Sequence, residues 1–354
     1  MTKYLKILAL SFILFNCTQT YAEDQTSVDQ NFLFFPFLHV EYRPDIHGDQ
    51  GLKSLEGEAG SDFIYLLNYK KARVLAEIFL TNEEIELERL QFGFNFSQNN
   101  ILWLGRFHTP LGYWNSNYHH GLYLQTSVHR PGIIEYEDAG GVLPNHITGA
   151  LLEGQHYTET GVINYGAAVG LAPELGHELE PYSLGSIKHN KYHGLMKVSY
   201  QFDETDPSEL GFVVGLSKIN IENDSIDNTL QSIFGLFSHS SLETYRITTS
   251  AYLVRNRLNY ASSKRLTNSF VAAYFHAEYD LAAKWILYAR VERNFGDKND
   301  PYLALFDHVE TERNLTGVRF DITRRQAISG EISQRVGGHD NHTHISFQWS
   351  AVFP

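Results

Sequence analysis

The chain has 354 residues and a formal net charge of −13, with 41 Asp and Glu against 28 Lys and Arg. This acidic excess argues against nucleic acid as a partner, because binding to phosphates relies on clustered positive charge. The mean hydropathy of −0.28 would suit a soluble protein. It does not exclude a membrane protein, however, because strands that show one face to lipid and the other to water average to modest hydropathy.

Residues 1–22 are predicted to be a secretory signal peptide. Two lysines precede an apolar run from Ile7 to Phe15, and Ala22 supplies the small residue expected at a cleavage site. The run is shorter than the roughly 20 residues that a membrane-spanning helix needs. Cys17 leaves open a lipoprotein in which this cysteine is acylated. Cleavage after Ala22 would leave residues 23–354 as one domain without cysteine, and therefore without disulfides.

From Asn31 onward the sequence alternates apolar and polar residues with the two-residue period of β-strands. The last segment is the clearest, with Phe347 and Trp349 on one face and Ser346 and Gln348 on the other. About sixteen strands are predicted near residues 32–43, 61–70, 72–81, 84–97, 99–108, 146–156, 158–171, 190–203, 208–219, 229–240, 242–256, 266–279, 283–295, 311–323, 325–335 and 342–353. Links after even-numbered strands are short, and most of the others are long.

These features predict an all-β protein, a transmembrane antiparallel β-barrel of about 16 strands. Strands of about ten or more residues match the length that a tilted strand needs to cross hydrocarbon. Aromatic residues also recur near predicted strand ends, where they suit the membrane–water interface. These are Tyr69, Trp103, Tyr200, Trp285, Trp349 and Phe353. A secreted soluble sandwich is the alternative, since its strands alternate as well.

The predicted third long loop, residues 109–145, is too rich in His, Tyr and Trp to be a disordered linker. A barrel of about sixteen strands encloses an aqueous lumen, which this loop would narrow by folding into it. The segment with Gly105, Arg106, Phe107, Pro110 and Gly112 is similar to the strand-to-loop segment of the phosphate- and polyphosphate-selective porins. The strand number, the long third loop and the aromatic last strand resemble the general trimeric porins.

The resemblance implies a passive pore in the outer membrane of a Gram-negative bacterium, surrounded by membrane lipid and assembled as a homotrimer. Small hydrophilic solutes or ions would diffuse through an eyelet made by the third loop and the facing wall. The acidic balance and the lack of a dense lysine run differ from the phosphate-selective pattern. We expect no cofactor.

The pore constriction is predicted from loop carboxylates that would face wall arginines. Opposed charges across a narrow, water-filled gap create a transverse field that orients polar solutes. Three other side chains near the start of the loop complete the predicted constriction. For any single charge, the alternative is that it only hydrates the lumen. The set is Arg89, Arg106, His108, Tyr113, Trp114, Glu135, Glu137, Asp138, Arg290 and Arg319, and alternation points Lys197, Arg246 and Arg335 inward as well.

The chain has 17 histidines, and three near the last hairpin form a predicted metal site. His342 and His344 fall on one face of a strand, with His339 just before them, so their imidazoles could reach one Zn²⁺ or Cu²⁺ ion. Gating through histidine protonation is a second interpretation. Polar histidines tolerated in exposed loops are the third.

Two other functional classes stay open: an outer-membrane hydrolase, and a plugged structural or metal-binding barrel. The sequence has no Gly-x-Ser-x-Gly nucleophile elbow. A pair such as His239 with Ser240 or Ser241 falls in a predicted short turn, which is a poor place for a catalytic nucleophile and its base. We therefore predict that the protein is not an enzyme, and conductance would separate a pore from both alternatives.

Overall fold

The computed structural model describes residues 28–44, 54–82, 84–118, 122–137, 140–181, 191–223, 225–296, 300–306, 309–337 and 340–354. The predicted signal peptide and Cys17 lie outside these residues. No helix in these ranges combines the length and the apolar character needed to cross a membrane.

β-strands make up most of the described chain. One short helix, α1 (Tyr113–Asn117), and two 3₁₀ segments, Gly132–Ile134 and Leu303–Leu305, interrupt them. The strands are β1 (Val28–Arg43), β2 (Ser54–Tyr69), β3 (Ala72–Thr81), β4 (Ile85–Ser97), β5 (Asn100–His108), β6 (His146–Thr158), β7 (Gly161–Leu171), β8 (Glu174–Leu175), β9 (Leu179–Glu180), β10 (Tyr192–Gln201), β11 (Glu209–Ile221), β12 (Ile226–Ser241), β13 (Tyr245–Tyr260), β14 (Arg265–Ala282), β15 (Trp285–Phe295), β16 (Glu310–Thr323), β17 (Gln326–Gly337) and β18 (Asp340–Ala351).

The sixteen long strands close into an antiparallel barrel, which confirms the predicted fold class. Each pairs with the next long strand along the chain, and β7 pairs with β10 across the small β8–β9 hairpin. Closure comes from β1 and β18, where Phe37 lies opposite Ser350 and Tyr42 opposite Ile345. A closed barrel has no exposed strand edge, so every strand can satisfy its backbone within lipid.

The two-residue period sorts side chains between lipid and lumen as the sequence predicts. On β18, Phe347 is 58% exposed, whereas Ser346 and Gln348 are 1% and 3% exposed. On β15, Leu287 is exposed and Arg290 is buried. On these two strands the outward face is therefore apolar and the inward face polar, the arrangement that a membrane barrel requires.

Trp103 departs from the predicted aromatic belt. It is 7% exposed and lies on the inward face, since its neighbours Leu102 and Leu104 are both exposed on the outside. Its indole N–H donates to Glu153 Oε2 at 2.9 Å. The prediction that Trp103 anchors the membrane interface was wrong because the hydrogen bond to Glu153 satisfies the indole inside the barrel.

The two ends of the barrel differ in the length of their connections. At one end, which we call the short-turn end, two-residue turns such as 70–71, 98–99 and 324–325 join the strands. At the other, the long-loop end, the connections include 109–145, 172–191 and 296–309. The segment 109–145, which we call the inward loop, folds into the lumen.

Candidate functional site: the inward loop and the lumen

The first part of the inward loop packs on the wall through apolar and aromatic side chains. The Tyr113 ring of α1 stacks on the His239 ring, with 3.9 Å between their centres. Trp114 is 1% exposed and meets the Tyr274 ring edge to face. A buried cluster continues from here across β10–β14. It includes Leu111, Ile134, Leu143, Leu195, Val213, Ile233, Phe237, Tyr252, Val254 and Phe270.

The inward loop then reaches the short-turn end. Tyr123 Oη donates to the carbonyl of Arg324, in the turn between β16 and β17, at 2.8 Å. Arg319 Nη1 donates to the carbonyls of Tyr123 (2.7 Å) and Gln125 (2.8 Å). The loop therefore runs through the lumen from one end of the barrel to the other.

The side chain of Arg290 donates hydrogen bonds to backbone carbonyls in the returning part of the inward loop. Its Nη1 donates to Ser127 Oγ (3.1 Å) and to the carbonyl of His129 (3.0 Å), and its Nη2 donates to the carbonyl of Arg130 (2.9 Å). Its Nε donates to Glu292 Oε1 at 2.7 Å. The guanidinium is fully buried, so Arg290 ties the loop to the wall instead of facing open water.

His129 connects the inward loop to carboxylates of β1 and β17. Its Nε2 lies 3.0 Å from Glu41 Oε2, and its Nδ1 lies 2.6 Å from Glu331 Oε1. The backbone N–H of Val128 donates to the other oxygen of Glu331 at 3.0 Å. These bonds involve a buried charge and are of the stronger, charge-assisted kind.

Glu135 and Glu137, the predicted acidic face of the constriction, are both paired. Glu135 lies 3.6 Å from Arg313 Nη1 and 4.0 Å from Arg130 Nε. Burial raises the pKa of the Glu135 carboxyl, and Arg313 and Arg130 act in the opposite direction. Glu137 Oε1 accepts the backbone N–H groups of Asn145 (2.6 Å) and His146 (2.7 Å). Both carboxylates therefore hold the loop in place, and Asp138 lies outside the described residues.

The glycines of the segment similar to selective porins have positive φ angles. Gly105 has φ +131° and Gly112 has φ +120°, values that side chains disfavour. A Cβ on Gly105 would collide with the Leu90 carbonyl oxygen, and one on Gly112 would lie 2.7 Å from Tyr252 Oη. These two glycines let the chain leave β5 and begin α1 against the wall.

A polar cavity of about 530 Å³ lies under α1, toward the short-turn end. Its walls come from β3–β7, β10 and β11, and Tyr113 and Ser116 border it from the loop side. Lys197 Nζ donates to Ser116 Oγ at 2.9 Å and lies 3.9 Å from Glu209 Oε1. Arg73, Lys197, Glu153 and Glu209 line the cavity with both signs of charge.

The remaining predicted residues lie on other parts of the lumen wall. Arg89 Nε donates to Glu77 Oε2 at 2.6 Å, and the half-buried Arg106 lies on β5. In the predicted metal group, His344 Nδ1 lies 2.7 Å from Glu41 Oε1, and the His342 and His344 ring centres are 6.4 Å apart. His339 lies outside the described residues.

The structure adds residues that the sequence did not single out. His129, His146 and Arg313 carry much of the loop attachment, together with the wall carboxylates Glu41 and Glu331. Alternation could have placed both carboxylates in the lumen. Within the described ranges, two groups of three side chains also bring metal-ligand atoms together: His39, Glu41 and His129, and Glu88, His108 and His146.

No protein-family model matches the sequence, and neither does the sequence of any curated protein. Solved structures with the same fold include the outer membrane channel DcaP of Acinetobacter baumannii (11% identity, TM-score 0.63, 95% of this chain and 100% of that chain covered). An anion-selective porin from Comamonas acidovorans is similar at 12% identity and TM-score 0.63, with coverage of 92% and 100%. The trimer form of OmpT, an outer membrane protein of Vibrio cholerae, is similar at 10% identity and TM-score 0.62, with coverage of 92% and 100%. The chain thus has the fold of the outer-membrane porins.

Proposed function

We propose that this protein is a porin of the outer membrane of a Gram-negative bacterium, through which small hydrophilic solutes or ions diffuse. The observation that carries the proposal is the inward loop, which lies through the lumen of a closed barrel and leaves a polar cavity beside it. A wide barrel becomes selective only when such an element narrows it. A catalytic step is not part of the proposal.

The proposed solute route lies between the inward loop and the wall of β3–β7, β10 and β11. The polar cavity lies on that side, whereas Arg290, Arg319 and Glu331 attach the loop to β15–β17. Tyr113 borders the route directly. The predicted constriction residues Trp114, Glu135, Glu137, Arg290 and Arg319 act behind it by fixing the position of the loop.

We also propose a homotrimer. The trimer form of one structure with this fold supports it, and the apolar outward face can bind lipid and neighbouring subunits alike. Native mass spectrometry of detergent-solubilised protein would give the subunit number directly. A monomer that conducts would contradict the proposed trimer but not the proposed pore.

The decisive experiment is single-channel recording of refolded residues 23–354 in a planar bilayer. We expect discrete conductance steps and a reversal potential in a salt gradient that changes when Lys197 or Glu153 is neutralised. Folding is checked first by the shift in electrophoretic mobility on heating that membrane barrels show. Folded protein without conductance steps would contradict the pore.

A plugged structural barrel is the second candidate, favoured by the apolar packing of Leu111, Trp114 and Leu143 against the wall. Replacing residues 112–136 by a short Gly-Ser link separates the two. A plugged barrel conducts only after this replacement, whereas a porin conducts before it and with larger steps after it. Hydrolysis of lipid or peptide substrates by the same protein would instead support the hydrolase.

A further inference from the structure

Three side chains at the base of the inward loop have the chemistry of a transition-metal site. Glu88, His108 and His146 are all buried, and one ligand atom from each lies within 4.8 Å of the other two. His146 Nε2 is 2.6 Å from Glu88 Oε2, and His108 Nε2 is 3.4 Å from the same oxygen. Two imidazoles and one carboxylate form a common ligand set for Zn²⁺ and related divalent ions.

The strand pairing brings these residues together. His108 ends β5, His146 begins β6, and the two lie directly opposite each other, with 4.5 Å between their ring centres. On the other side of β5 lies β4, whose register with β3 slips, because Glu77 pairs with Arg89 while the next residue of β3, Ile78, pairs with Leu87. The extra residue is Glu88, and such a bulge re-aims a side chain.

A carboxylate behind one histidine completes the pattern. Glu137 Oε2 lies 2.7 Å from His146 Nδ1. Metal-bound histidines usually direct their other ring nitrogen to a carboxylate, which fixes the ring and leaves the opposite nitrogen for the ion. Here the opposite nitrogen, Nε2, is the one that faces Glu88.

The similar group of His39, Glu41 and His129 has arginines beside its carboxylate. In that group, Arg335 Nη2 lies 3.2 Å from Glu41 Oε2 and Arg43 Nε lies 3.1 Å from Glu41 Oε1. These arginines form ion pairs with the Glu41 carboxylate and would repel a cation. In the cluster of Glu88, His108 and His146, both imidazoles lie within salt-bridge distance of the Glu88 carboxylate.

We propose that Glu88, His108 and His146 bind one divalent transition-metal ion of the Zn²⁺ class, with Glu137 orienting His146. Because His108 and His146 flank residues 109–145, the ion fastens both ends of the inward loop to β4. The proposal concerns metal binding in the folded barrel and does not depend on conductance. A hydrogen-bonded histidine held between two carboxylates is the other explanation, and it predicts no metal uptake.

The test is a titration of tag-free, refolded residues 23–354 in detergent, after treatment with a chelator and its removal. We expect one equivalent of Zn²⁺ by calorimetry and a Co²⁺ absorption spectrum that Zn²⁺ abolishes. Glu88→Gln and His108→Gln should each weaken binding at least about 10-fold, and Glu137→Gln by about 10- to 100-fold. The double variant His342→Gln/His344→Gln should bind as the wild type does.

X-ray absorption of the Zn²⁺-loaded wild-type protein tests the same ligands without any variant. We expect two imidazoles and oxygen ligands in the first shell. Wild-type protein that binds neither ion would overturn the proposal. So would Glu88→Gln and His108→Gln variants with wild-type affinity, or loss of binding confined to the His342/His344 variant. Conductance without metal uptake would contradict the metal site but not the porin proposal.

Discussion

Replacing Arg290 by methionine should release the returning half of the inward loop from the wall. The guanidinium is fully buried and donates to Ser127, to the carbonyls of His129 and Arg130, and to Glu292. Removing one partner of a buried ion pair costs about 3–5 kcal/mol. Glu292 keeps the backbone N–H of Gly132 at 2.7 Å, which places the cost near the lower end of that range.

A loss of about 3 kcal/mol in attachment of the loop corresponds to a roughly 100-fold larger population of the detached loop, since each 1.4 kcal/mol is a factor of ten. In single-channel recordings, Arg290→Met should therefore show frequent transitions to a level of higher conductance that is rare in the wild type. Methionine keeps much of the side-chain volume, so the effect isolates the lost hydrogen bonds and charge.

Arg246→Met is the matched control. Arg246 is also an inward arginine, but its described hydrogen bonds go to Glu278 and Asp280 of the neighbouring strand β14. Arg246→Met should not add the new conductance level, because the described hydrogen bonds of Arg246 go to the wall and not to the inward loop. Recordings of Arg290→Met that match the wild type, or an identical new level in Arg246→Met, would refute the attachment that we assign to Arg290.

Three further predictions concern the other half of the loop and the cavity. Trp114→Ala truncates a side chain that is 1% exposed, so thermal unfolding in detergent should show a loss of about 3–5 kcal/mol; an unchanged midpoint would contradict the packing. Lys197→Gln removes a positive charge from the cavity and should shift the reversal potential toward cation selectivity, whereas an unchanged potential would contradict the proposed route. Gly112→Ala places a Cβ 2.7 Å from Tyr252 Oη at φ +120°, which should cost about 1–3 kcal/mol in the same unfolding assay; a more stable variant would contradict this.

The sequence predicts the barrel because every strand repeats the same two-residue period, and that period alone assigns the faces. The predicted strand at 72–81 coincides with β3, and the one at 283–295 nearly coincides with β15. The beginning of β2 was missed: residues 54–60 were assigned to a loop. They contain two glycines and two apolar residues, Leu55 and Ala59, and become a strand by pairing with the long β1, as Arg43 does with Ser54.

The way in which the inward loop attaches to the wall could not be predicted from the sequence. Alternation gives the direction of Arg290 and Arg319, but it does not give the path of residues 109–145, which depends on contacts far apart in the chain. The expectation was that these arginines would face Glu135 and Glu137 across a gap. Instead, they donate to loop carbonyls, and Glu137 binds backbone N–H groups at the end of its own loop.

Whether the loop moves as one body follows from how its two halves meet. The Arg290 guanidinium lies 5.4 Å from the centre of the Trp114 ring, so the charged half and the apolar half of the attachment touch. Contacting residues typically show coupling free energies of about 0.5–3 kcal/mol, whereas independent sites add within about 0.5 kcal/mol. Because either single variant should already loosen a loop that moves as one body, the double variant Trp114→Ala/Arg290→Met should lose less stability than the two single losses combined. Thermal unfolding of the four proteins measures this, and strict additivity would mean that the two halves of the loop detach from the wall independently.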